Sequence, residues 1–217
     1  MVVIHEPFAV EIGPQKLQAY LALPDDPKGL VIFAHGSGSG RMSPRNNYVA
    51  AALRKAGFAT LLLDLLTPLE EKDRSNVFDI ALLASRLSLA TSWAAERADT
   101  GSLNVGYFGA STGGGAALMA AAEPDARVAA VVSRGGRPDL AGPALARVHA
   151  PVLLIVGGLD GPVIGMNRDA FAQLRGEKEL VIIPGAGHLF EEPGTLDQVV
   201  HHAVRWFLAH LPKPGEC

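Results

Sequence analysis

Short apolar runs alternate with longer helix-like segments through most of this chain, and that alternation leaves few folds open. Residues 30–33, 60–64, 104–109, 128–133, 152–156 and 180–183 are dominated by aliphatic and aromatic side chains and have no regular polar face. Strands that are apolar on both sides must be covered on both sides, so a parallel sheet packed between two layers of helices is predicted. The segments between them fit that expectation. Residues 48–56 read as a helix closed by Gly57, and Val77, Ile80, Leu83, Leu87, Ala90 and Ala94 recur at helical spacing. Residues 113–122, 166–174 and 196–211 supply further helices. Ahead of them, residues 8–12 and 17–23 flank Gly13-Pro14 and read as an antiparallel hairpin at one edge of the sheet. The 217 residues contain no internal repeat, linker or low-complexity segment, so a single α/β domain over residues 1–217 is expected.

Bulk properties narrow the function classes. Hydrophobic residues make up 48% of the chain and charged residues 19%, enough for a sizeable core. The formal net charge is −3 and basic residues form no stripe, which argues against nucleic-acid binding. Cys217 is the sole cysteine, so an internal disulfide is impossible, and a cysteine metal site is not expected. The opening residues lack a basic segment followed by an apolar run, and no stretch reaches the length of a membrane span. A cytoplasmic protein that uses neither a membrane nor a metal is the expectation.

In open α/β sheets, ligands bind where the strands end, so chemistry is sought there. Gly109-Ala110-Ser111-Thr112-Gly113 follows one strand and opens a helix. A turn this tight leaves no room for side chains two residues either side of the serine, and it lifts the Ser111 hydroxyl above the sheet. A serine hydroxyl needs a base. His188, in a glycine-rich loop after the last strand, is the best placed. His5 precedes the core, His35 opens a glycine loop, His149 lies in a connection, and His201, His202 and His210 sit on the final helix. The base in turn needs an acid that fixes its tautomer. Asp160 follows the strand at 152–156, ahead of Asp139, Asp64 and Glu191 as rivals. His35-Gly36-Ser37-Gly38-Ser39-Gly40 supplies small residues whose amides could hold a developing oxyanion, with Ser37 and Thr112 as the expected donors. Neither G-x-x-x-x-G-K-[ST] nor a G-x-G-x-x-G opening a helix is present, which sets a nucleotide loop aside.

Together these motifs resemble the α/β-hydrolase superfamily, over about residues 8–211, and within it the dienelactone-hydrolase-like branch. The resemblance implies an eight-stranded, mostly parallel sheet and hydrolysis of esters or lactones by Ser111, His188 and Asp160, without metal or organic cofactor. Dienelactone hydrolases proper use a cysteine nucleophile where this chain has serine, which sets dienelactone itself aside as the expected substrate. Residues 134–149 are too few for the cap domain that often follows that strand, so an open site is expected. Arg41 and Arg134 are candidate contacts to a substrate carboxylate, with Arg45 and Arg137 alongside them. The expected protein is a monomer or homodimer acting on a small-molecule ester. Thioesterase, amidase and acyltransferase chemistry use the same residues. A non-catalytic binding protein on the same fold is the remaining alternative.

Overall fold

The computed structural model of the protein describes residues 6–211; His5, most of the opening segment and Cys217 lie outside the described residues. Eight strands form one sheet: β1 (Phe8–Ile12), β2 (Leu17–Ala22), β3 (Leu30–Ala34), β4 (Ala59–Leu63), β5 (Val105–Ala110), β6 (Val128–Arg134), β7 (Val152–Gly157) and β8 (Lys178–Ile183). Their spatial order is β1-β2-β4-β3-β5-β6-β7-β8. The β1–β2 and β2–β4 pairs are antiparallel and the remaining pairs parallel. This is the expected edge hairpin on an otherwise parallel sheet.

The continuous apolar runs are divided between two cores by the period-two alternation of a strand. Leu30, Ile32 and Ala34 of β3, with Val152 and Leu154 of β7, face α3 (Ile80–Ala95), α4 (Thr112–Ala121) and α5 (Gly161–Gln173). Val31 and Phe33, with Leu153 and Ile155, face α1 (Pro44–Lys55) and α6 (Thr195–His210). All five residues of β3 are at most 1% exposed. Each large side chain so buried contributes about 1.5–3 kcal/mol, which is why no position of these strands is polar.

Helix boundaries depart from the periodicity in three places, each for a local reason. α1 begins at Pro44, not near Tyr48, because Ser43 caps it through its hydroxyl and proline occupies the first turn. Val77 is separated from the long helix: it lies in the short α2 (Arg74–Phe78), and Asp79 restarts the chain by accepting from the amide of Leu82. α5 starts at Gly161 with a proline behind it, ahead of the predicted Met166. Residues 138–147 fold as 3-10 turns with Gly142 at φ 50°, and form no cap domain.

The parallel register aligns the strand ends. Ala34 pairs with Gly109, Ala110 with Arg134, Arg134 with Ile155, and Gly157 with Ile183. The segments carrying Ser37, Ser111, Arg134, Asp160 and His188 therefore emerge along one edge of the sheet.

Candidate active site

Ser111 sits between β5 and α4 at φ 51°, ψ −122°, a backbone conformation that costs a non-glycine residue on the order of 1–3 kcal/mol. Its surroundings hold it there. The Ser111 amide donates to the carbonyl of Arg134, and the Ser111 carbonyl accepts from the amides of Gly114 and Arg137. The two flanking glycines are required by contact. A Cβ on Gly109 would stand 2.5 Å from the Gly113 carbonyl oxygen, and one on Gly113 would stand 2.2 Å from that of Ala34. Those neighbours are backbone atoms of packed elements and cannot give way. Gly113→Ala is therefore expected to cost about 1–3 kcal/mol or more, seen as a fall of roughly 3–10 °C in the thermal midpoint. A midpoint within 1 °C of wild type, on the order of a few tenths of a kcal/mol, would contradict this reading of the turn.

His188 reaches Ser111 from the loop after β8. Its Nε2 lies 3.3 Å from Ser111 Oγ, and its Nδ1 lies 2.6 Å from Asp160 Oδ2. Asp160 stands at the N-cap position of α5, beyond β7, but its side chain makes no capping bond to the helix. The two loops are tied together by the Leu159 amide donating to the Ala186 carbonyl, and the His188 loop is braced internally by the Gly187 amide donating to Glu192 Oε1. A carboxylate on Nδ1 places the imidazole proton there, which leaves Nε2 as an acceptor for the serine hydroxyl. The rival acids are engaged elsewhere. Asp64 is held by Arg41, Asp139 by both ends of the Arg137 guanidinium, and Glu191 by Arg45.

The glycine loop lies against the serine. A Cβ on Gly36 would come 2.9 Å from Ser111 Cβ. Ser37 and Thr112 both border a cavity beside it, and Thr112 is the first residue of α4, whose amide has no partner inside the helix. His35 is structural: Nε2 accepts from the Leu65 amide at 3.0 Å and Nδ1 donates to the Gly36 carbonyl at 2.9 Å.

The arginines separate. Arg41, taken from the sequence as a substrate contact, is bound to Asp64 through its side chain and its own amide, lies over the Tyr20 ring, and borders neither cavity beside Ser111. Arg134 does border the cavity that holds Ser111 and His188, together with Arg45 and with Asn46, which the sequence did not bring forward. The Ser43-Pro44 cap was the available signal: starting α1 there puts Arg45 and Asn46 in its first turn, at the strand-end edge. A separate hollow of about 890 Å³ lies between α3 and α4, and none of the triad candidates lines it. Tyr107 forms part of it, bonded to Thr91 Oγ1 at 2.7 Å and pushed up to about 12 by burial. Among the described residues, no cluster of His, Cys, Asp and Glu could hold a metal ion, and no helix is long and apolar enough to cross a membrane.

A strained serine at a strand–helix turn, with a histidine and a carboxylate delivered by the last two strands of a mostly parallel sheet, places this architecture in the α/β-hydrolase fold. The sequence matches the dienelactone hydrolase family over residues 17–205, and the chain belongs to that family. It is 58% identical to the dienelactone hydrolase of Anabaena variabilis, whose crystal structure superposes with a TM-score of 0.90, covering 97% of this chain and 99% of that one. It is 60% identical over 210 residues to a Mycobacterium tuberculosis protein named "Putative phosphoribosyl transferase", covering 97% of this chain but 47% of the relative. The chain thus spans about half the length of the mycobacterial relatives it matches. A Bradyrhizobium protein named "Probable 2-oxo-3-(5-oxofuran-2-ylidene)propanoate lactonase" is 30% identical over 165 residues, 66% of each chain.

Proposed function

We propose that the protein hydrolyses carboxylic esters or lactones through an acyl-enzyme on Ser111, with His188 as general base and Asp160 as its orienting acid. One observation carries this reading: His188 bridges Ser111 and Asp160 at 3.3 and 2.6 Å, at the end of a sheet whose turn exposes the serine. Ser111 Oγ attacks the carbonyl carbon as its proton passes to His188 Nε2. The amides of Thr112 and Ser37 hold the oxyanion. The tetrahedral adduct collapses, the C–O bond to the alcohol breaks, and His188 returns the proton to the departing oxygen. Water, deprotonated by the same nitrogen, then releases the acid and restores the serine. Each oxyanion amide contributes on the order of a hundredfold in rate.

Family membership and the Bradyrhizobium lactonase support an ester or lactone over a thioester or amide. The mycobacterial name describes a protein more than half of which lies outside the match, so the site on this chain is the better guide. We read the described domain as a hydrolase acting on a small-molecule ester.

The reading is tested by exposing the protein to a fluorophosphonate probe and assaying short activated esters in parallel. One adduct per chain is expected, mapped to the peptide containing Ser111, with activity falling in proportion to labelling. An adduct on another residue, or activity that survives complete labelling of Ser111, would overturn it.

A further inference from the structure

Two cavities meet at the glycine loop beside Ser111, and they differ in chemistry. One, of about 240 Å³, is bordered by Leu66, Val77, Leu83, Thr112 and the exposed Glu71. The other, of about 210 Å³, is bordered by Ser111 and His188 with Arg45, Asn46, Arg134 and Leu189.

Arg134 is the residue the catalytic reading leaves unexplained. It ends β6 and is 5% exposed. Arg41, Arg45, Arg86, Arg97, Arg137 and Arg205 each hold a carboxylate. Arg134 is more deeply buried than most of them, yet holds none among the described residues. Its Nη2 donates to Asn46 Oδ1 at a long 3.3 Å, its guanidinium lies 5.8 Å from the centre of the Phe190 ring, and its Nε is buried without a partner. Burial and the nearby Arg45 lower it to about 10, which leaves it charged at neutral pH. A buried cation without a counter-ion is costly, and a second cation beside it adds to that cost. A planar guanidinium with open donors matches the two oxygens of a carboxylate or phosphate.

We propose that the cavity beside His188 is an anion-binding subsite for the departing alcohol, with Arg134 as its buried cation and Arg45 at its rim. The substrate class is then esters whose alcohol limb carries a carboxylate or a phosphate. This rests on the serine–histidine reading above, because His188 hands its proton to the leaving oxygen and so fixes which limb lies on its side. The acyl limb is left with the other cavity, where Glu71 opposes a second negative charge. Arg45 is tethered by Glu191 at 2.9 Å, which holds it near the entrance.

The test uses esters of one short acyl group with alcohols bearing a carboxylate, a phosphate monoester or an uncharged amide of similar size, and a second set with the charge moved to the acyl limb. Wild type is expected to favour the anionic alcohols about 10- to 100-fold in kcat/KM over the amide. The better of the two anions identifies the natural group. Arg134→Met should bring that ratio close to one, and Arg45→Gln should lower it about two- to fivefold. Because Arg134→Met removes a buried side chain and could fail to fold, a second measurement needs no variant: glycolate and glycerol phosphate should inhibit wild type at least about tenfold more strongly than ethylene glycol and glycerol. Equal rates for charged and neutral alcohols, with turnover still lost in Ser111→Ala, would overturn the subsite and leave the serine reading standing. Turnover that persists in Ser111→Ala would overturn the serine reading itself. A preference for charge on the acyl limb would overturn the assignment of limbs.

Discussion

Ser111→Ala is expected to lose ester hydrolysis by about 10,000-fold or more in kcat, the largest effect of any single side chain in this protein. The expectation follows from what remains. The proposed oxyanion amides of Ser37 and Thr112 and both cavities are untouched, so substrate is expected still to bind. But His188 Nε2 then faces a methyl group, and only water is left to attack. KM should therefore change far less than kcat. Folding should hardly notice: alanine has the same difficulty as serine at φ 51°, and the hydroxyl's one hydrogen bond, a long one to a half-exposed histidine, contributes at most about 1 kcal/mol. Activity measured alongside a thermal melt separates the two. A variant that melts like wild type yet keeps about a tenth of its rate would remove Ser111 from the mechanism, since triad members act as a unit.

Legibility in the sequence followed the range of the interactions involved. The sheet was readable because burial on both faces forbids polar residues, and that constraint acts at every position of β3 and β7. The Ser111 turn was readable because its two glycines answer contacts with Gly113, Gly114 and Ala34 that any such turn makes. Helix boundaries were less so. Periodicity marks a face but not an end, and the ends were set by single caps, Ser43 for α1 and Asp79 for α3. Least readable were the charges. Arg41 and Arg134 look alike in sequence, each near a strand end. Arg41 is neutralised by Asp64, which lies 23 positions along the chain on the next strand's exit. Arg134 is buried under the His188 loop with no acid paired to it among the described residues. Pairing between distant residues depends on the register of the sheet, and no local pattern encodes it.

The second large effect is expected at Asp160. Asp160→Asn should lower kcat by about 10,000-fold, although it changes one atom and no volume. The carboxylate lies 2.6 Å from His188 Nδ1 and its side chain is 13% exposed, so its charge is poorly screened. In the proposed mechanism it performs two tasks: it holds the ring proton on Nδ1, and it stabilises the imidazolium that forms when the serine is deprotonated. An asparagine can turn its amide toward Nδ1 and donate instead. The proton then sits on Nε2, where it meets the serine hydroxyl as a second donor, and no base remains. Asp139→Asn is the matched control. Asp139 follows β6 as Asp160 follows β7, but its oxygens are taken by Arg137 Nε and Nη2 at 2.9 and 2.7 Å. Its loss should therefore cost an exposed ion pair, about 1 kcal/mol or less of stability, and leave kcat within a few-fold. The contrast between these two asparagines tests the site more sharply than either alone. Both remove one negative charge at the same edge of the sheet, so a shared electrostatic effect would slow both. Only a specific hold on the imidazole slows one. If Asp139→Asn is the variant that loses turnover, the acid has been assigned to the wrong strand.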